Sequence, residues 1–149
     1  MLAVLQRVTQ ATLHIGGQLH SQIGPGLVVL LGITHTDTPA DVTYLARKIA
    51  DLRIFSDADG KMNLNLTATG GNVLLVSQFT LYANARKGNR PSFTQAAPPD
   101  HARPLYEQMI TRMGEHLGHP IQTGVFGADM QVSLTNDGPV TILLDTDAA

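Results

Sequence analysis

The chain has 149 residues, of which 43% are apolar and 15% charged, with a formal net charge of -2. That length fits a single domain over residues 1–149 whose core needs no metal or disulfide staple. The absence of cysteine excludes disulfide frameworks, thiolate nucleophiles, Fe–S clusters and Cys-based zinc sites, and the mildly acidic balance argues against indiscriminate coating of nucleic acid.

Charge is sparse compared with the roughly 25% usual in soluble domains, so the surface is either relatively neutral or partly covered by a partner. Arg7 sits inside the apolar N-terminal run, and no apolar stretch approaches the roughly 20 residues of a membrane span. A cytoplasmic protein with no membrane partner is the expectation.

In chain order, alternation over Leu2–Arg7, then Ala11–Ile15 and Leu19–Ile23 about Gly16-Gly17, predicts an opening meander. After the Gly24-Pro25-Gly26 turn, Leu27–Ile33 is nearly all apolar, as in a central strand covered on both faces. Thr38, Pro39 and Asp41 form a helix start, and Val42, Leu45, Ala46, Ile49 and Leu52 follow on one helical face. Arg53–Phe55 and Asn63–Leu66 read as short strands about an Asp57–Gly60 turn. Val73–Val76 is a buried strand that runs directly into Ser77-Gln78. Residues 83–99 read as a long loop, of the kind that is usually functional. A second helix is predicted from about Asp100 to Leu117, ended by Gly118 and Pro120. Two last strands, near Met130–Leu134 and Val140–Leu144, are joined through residues 135–139, which read as an Asp-Gly hairpin turn or, were the bond before Pro139 cis, as a binding device whose paired carbonyls accept from an ammonium group. The fold class expected is α+β: a β-rich single domain with an antiparallel, barrel-like sheet and two helices.

The six histidines suggest no metal centre. His116 and His119 lack a third ligand and the His-Glu-x-x-His order, so they read as helix-terminal surface groups. No cofactor is expected. A Gly-x-Ser-x-Gly elbow is absent too. Ser77 and Thr80 are better placed, at a strand end within Ser77-Gln78-Phe79-Thr80, where a rigid scaffold presents polar groups; alternatively they only bond neighbouring backbone. Arg86, Lys87 and Arg90 are either a solvated basic loop or a phosphate-contacting patch that makes RNA binding local and salt-sensitive. Around Gly124–Met130 the glycines allow close backbone approach to a planar base, with Phe126 or Met130 as an apolar wall.

Ser77-Gln78-Phe79-Thr80 and Asn136-Asp137-Gly138-Pro139-Val140-Thr141 together resemble the two signature segments of bacterial D-aminoacyl-tRNA deacylases. The resemblance runs end to end. It extends through Gln6-Arg7-Val8, Arg86-Lys87-Gly88, Arg90-Pro91-Ser92-Phe93, Ala96-Ala97-Pro98 and residues 124–134; Leu2 and a slightly extended tail over residues 146–149 depart from the family. It implies a homodimer acting on the aminoacylated 3′ end of tRNA, with neither membrane nor DNA as partner. The substrate implied is the ester of a D-amino acid, or of glycine mischarged on alanine tRNA. It further implies a cis Gly138-Pro139 bond reaching into the partner's pocket, where its carbonyls hold the α-amino group and its bulk excludes L side chains. Arg7 would hold that dipeptide in place. Ser77, Gln78, Phe79 and Thr80 are the implied catalytic segment; Phe126, Gly127 and Met130 join Gly138, Pro139 and Arg7 in binding substrate, and Arg86, Lys87 and Arg90 bind tRNA.

Overall fold

A computed structural model describes residues 1–148; Ala149, the end of the extended tail, lies outside them. Strand β1 (Leu2–Ile15) turns through Gly16 and Gly17, both at positive φ, into β2 (Gln18–Ile23), and β3 (Gly26–Gly32) follows. Helix α1 (Pro39–Asp51) starts where the sequence predicts: the Thr38 amide and hydroxyl donate to the Asp41 carboxylate at 2.8 and 2.7 Å. Beyond the small β4 (Phe55–Ser56) and β5 (Met62–Leu64) pair comes α2 (Leu66–Thr69). The expected strand thus ends early, because the Asn65 side chain accepts from the Ala68 amide at 2.9 Å and caps a helical turn. There are therefore three helices among the described residues, two of them long.

Strand β6 (Asn72–Ser77) precedes the open segment 83–98 and helix α3 (Pro99–Leu117), which ends on Gly118 at φ 73. Pro104 lies inside α3, in its second turn, where the missing amide leaves the Asp100 carbonyl without its usual intrahelical donor. The chain closes with β7 (Gln122–Thr123) and β8 (Gln131–Asp145).

The strand order is β2-β1-β3-β6-β7, with β8 on β1. Pairing is antiparallel around β1, whereas β3–β6 and β6–β7 are parallel, because helical crossovers connect them. The sheet curls until the Ser21 hydroxyl of β2 donates to the Thr123 carbonyl of β7 at 2.6 Å, which nearly closes a barrel. Both faces of β3 are buried, as its composition predicts: Val29 and Leu31 pack with α1 and α3, and Val28 packs inside the curl with Leu13, Leu74 and Val76. No helix among the described residues is long and apolar enough to cross a membrane.

A further expectation is overturned. Residues 131–145 are a single strand rather than a hairpin, since both halves pair with β1 in one antiparallel ladder. Between Gln6↔Thr141 and Val8↔Asn136, two steps along β1 face five along β8, so the surplus residues bulge outward. Long-range pairing to a 14-residue partner overrides the local turn signal of Asp-Gly.

Candidate active site

A cleft of about 620 Å³ opens where β6 ends. Its floor is Val76, Ser77 and Gln78; β6 delivers them because Val73, Leu74 and Leu75 are fully buried and the Gln78 amide donates to the Leu31 carbonyl at 2.7 Å. The chain then tightens into a 3-10 turn over Phe79–Tyr82. Phe79 is 56% exposed, and its ring meets Phe93 edge-on at 5.2 Å, forming one apolar wall.

The opposite wall is Phe126, Gly127 and Met130, with Ala102 at the base of α3. Phe126 leans on Tyr106 at 5.9 Å, and the Tyr106 hydroxyl donates to the Leu75 carbonyl at 3.0 Å. Burial pushes that phenol up to about 12. Met130 also lies against Gly124, where a Cβ would sit 2.5 Å from the Met130 sulfur and would push that side chain aside. Ala96 and Ala97 border the third side. They are tied down by the Ala97 amide on the Ile33 carbonyl at 2.9 Å and by the Thr34 hydroxyl on the Gln95 carbonyl at 2.6 Å. Buried Asp37 holds that loop by accepting from the Thr34 amide and from the Met1 ammonium, both at 2.7 Å.

Thr80 is exposed beside this cleft rather than lining it, and its hydroxyl accepts from the Gln78 side-chain amide. No histidine or carboxylate is hydrogen-bonded to Thr80 among the described residues, so nothing is placed to activate it as a nucleophile. No cluster of three or more metal-ligating side chains occurs among those residues either.

Arg7, Gly138 and Pro139 assemble elsewhere, at the β8 bulge. The Gly138-Pro139 bond is cis, and both residues are exposed. Beneath them the guanidinium of buried Arg7 donates from Nε to the Asp137 carbonyl at 3.2 Å and from Nη1 to the Ile54 carbonyl at 2.7 Å, and lies 3.3 Å from the Asp137 carboxylate. Asn136 braces the other side: its amide donates to the Gln6 side chain at 2.8 Å, and its oxygen accepts from the Val140 amide at 3.2 Å. Gly138, at φ 118, is required twice over, since a Cβ there would stand 2.9 Å from Arg7 Nη2.

One chain therefore presents the expected residues as two separate assemblies; neither Gly138 nor Pro139 lines the cleft of its own chain. A family model described as D-Tyr-tRNA(Tyr) deacylase matches residues 4–145. The chain belongs to that family. It is accordingly an enzyme, a hydrolase of the ester bond in aminoacyl-tRNA. Curated D-aminoacyl-tRNA deacylases agree over nearly full length: that of Cytophaga hutchinsonii is 58% identical over 146 residues, covering 98% of this chain and 97% of its own. That of Thermus aquaticus is also 58% identical, with 98% and 95% covered. Among solved structures, the c-Myc DNA unwinding element binding protein superposes with a TM-score of 0.91 at 42% identity, covering 98% of this chain and 99% of that one. A probable eukaryotic D-amino acid tRNA deacylase, at TM-score 0.83, 16% identity and coverage of 96% and 97%, shares the fold.

Arg86, Lys87 and Arg90 are exposed on the open segment and line no part of the cleft. Sequence reasoning gave no role to Asp129, Ala102 or Arg103. Asp129 is the charged residue of the cleft lining, and Ala102 is small where α3 meets the floor. Arg103 carries its guanidinium 5.0 Å over the Phe126 ring. The available signal was Pro99, which starts a helix beside the site.

Proposed function

We propose that the chain, as a cytoplasmic homodimer, hydrolyses the ester between a D-amino acid and the terminal adenosine of tRNA. Glycine mischarged on alanine tRNA is released in the same way. The match of one family model to residues 4–145 supports treating the whole chain as one deacylase domain. The observation that carries the mechanism is the division of the site. An apolar cleft with polar groups at one end has neither Gly138 nor Pro139 in its lining, while that braced, exposed dipeptide stands outside it. Donation of Gly138-Pro139 across a two-fold axis completes both sites of a dimer at once.

The free edge of β8 and the exposed Val132, Leu134 and Leu143 along it suit such a partner. In the completed site the Gly138 and Pro139 carbonyls accept from the α-ammonium. An L side chain then collides with the dipeptide, whereas a D side chain or a hydrogen does not, so selectivity comes from rejecting the abundant substrate.

Water adds to the ester carbonyl and the C–O bond to the ribose breaks, releasing the amino acid and a ribose hydroxyl. The Phe79 and Thr80 amides and the Gln78 side chain are the donors assigned to the developing oxyanion; one such donor is worth roughly a hundredfold or more. The 2′-hydroxyl of the terminal ribose assists the water, and Thr80, whose hydroxyl already pairs with Gln78, positions rather than attacks. Arg86, Lys87 and Arg90 hold the tRNA body.

Amino acid release from matched D- and L-tyrosyl-tRNA is the test. D-specific release that falls when the terminal ribose lacks its 2′-hydroxyl, from a protein of dimeric mass, is expected. Equal release from both enantiomers, or tRNA binding without release, ends this reading. Retained activity in Thr80→Ala fits a positioning role; complete loss with intact folding and tRNA binding favours nucleophilic attack.

A further inference from the structure

None of the residues lining the cleft is a lysine or an arginine, although the proposed substrate carries a phosphodiester one ribose away from the reacting ester. The cations of the open segment do not line the cleft. Arg103 does reach its wall. It is an exposed residue on the second turn of α3, one position after Ala102 of the lining, and its Cζ lies 5.0 Å above the Phe126 ring. Phe126 in turn rests on Tyr106, which is bonded to Leu75, two residues before Ser77. The guanidinium is thus positioned by a stack rooted in the strand that delivers the catalytic segment.

Among the described residues, the ion pairs are Met1–Asp37, Arg7–Asp137 and Arg112–Glu115, so neither Asp100 nor Asp129 neutralises Arg103. A guanidinium held over a ring and outside those ion pairs still has N–H donors to offer, and its fork matches phosphate in a bidentate geometry. A cation fixed at the rim of an apolar nucleoside-sized cleft has one obvious anionic neighbour in this substrate. We infer that Arg103 receives the phosphodiester on the 5′ side of the terminal adenosine, setting how deeply the aminoacyl end enters the cleft. This rests on the deacylase reading above and adds a residue to it. Arg103 is a binding and positioning residue; it touches no reacting atom.

The test uses two non-cleavable inhibitors of D-tyrosyl-tRNA deacylation, 3′-(D-tyrosylamino)-3′-deoxyadenosine with and without a 5′-phosphate. On the native dimer the phosphate is expected to lower the inhibition constant about tenfold, as a charge-assisted contact does. Arg103→Gln should abolish that ratio while changing the unphosphorylated inhibitor less than about twofold, and should raise KM for tRNA with kcat nearly unchanged. Arg103→Lys, which keeps charge but loses the fork, should fall between. A wild-type ratio near one, a ratio that survives Arg103→Gln, or equal weakening of both inhibitors overturns the assignment, the last by showing that Arg103 merely supports Phe126. Absence of D-tyrosine release by the wild-type protein would instead remove the deacylase reading beneath it.

Discussion

Strands β6 and β8 both carry proposed site residues, and they are built in opposite ways. The middle of β6 is fully buried and paired on both sides, so Ser77 and Gln78 emerge from a floor that has nowhere to move. In contrast, β8 is exposed along most of its 15 residues and pairs only with β1; its Gly138-Pro139 tip is held by side chains instead. A floor can be made from apolar packing. An exposed backbone corner cannot, and it recruits a buried guanidinium and an asparagine whose hydrogen bonds replace the missing ladder.

That contrast breaks most sharply at Gly26, where β3 lies so close to β6 that a Cβ would collide with the Asn72 carbonyl. Gly26→Ala should cost about 3 kcal/mol or more by urea denaturation, because the obstacle is backbone and cannot rotate away. At the corner, Arg7→Ala leaves the Ile54 carbonyl without its donor and Asp137 without its cation. A loss of about 2 kcal/mol is expected, together with a larger relative loss of D-tyrosyl-tRNA deacylation than Gly26→Ala shows in its residual folded fraction. If the two variants lose activity in proportion to folded protein, the corner has no role beyond stability.

Smaller effects sharpen the picture. Tyr106→Phe should cost about 1 kcal/mol through its bond to Leu75. Burial raises the Tyr106 phenol from 10.0 to about 12, so its neutral form is the one the fold favours. The stability it contributes is intact below about pH 10 and is lost as pH climbs toward 12, because the unfolded chain releases that proton first. Tyr82 is shifted upward as well, by burial and then by Asp37, Asp145 and Asp147. Thermal melts between pH 9 and 11 should therefore show a decline that is shallower, not absent, in Tyr106→Phe. Smallest in stability is the triple change of Arg86, Lys87 and Arg90 to Gln: within about 0.5 kcal/mol of wild type. Its signature is a slope of log KM against log salt reduced by about 2 to 3, at roughly 0.7 to 0.9 per phosphate contact. An unchanged slope would detach that loop from tRNA.

Much of the fold was legible because its signals are local. The Thr38-Pro39-Asp41 start, the apolar face of α3 with its Gly118 stop, and the doubly covered β3 are each decided within a few residues by capping, periodicity and composition. The Asn65 cap was equally local and was passed over, since the alternation before it looked like a strand. The hairpin expectation failed for a different reason: Asp-Gly describes what four residues favour alone, whereas the register along β1 decides what they do together.

The residue types of the site, its signature segments and the family were properties of the sequence alone, because motif spacing and chemistry do not depend on where the chain goes. Only the tertiary structure decided that Ser77–Phe79 and Phe126–Met130 share one cleft, that Arg7 and Gly138 stand apart from it, and that Arg103 lies over Phe126. Those relations join segments tens of residues apart, and they are set by how strands pair and helices pack, which no short stretch of sequence encodes.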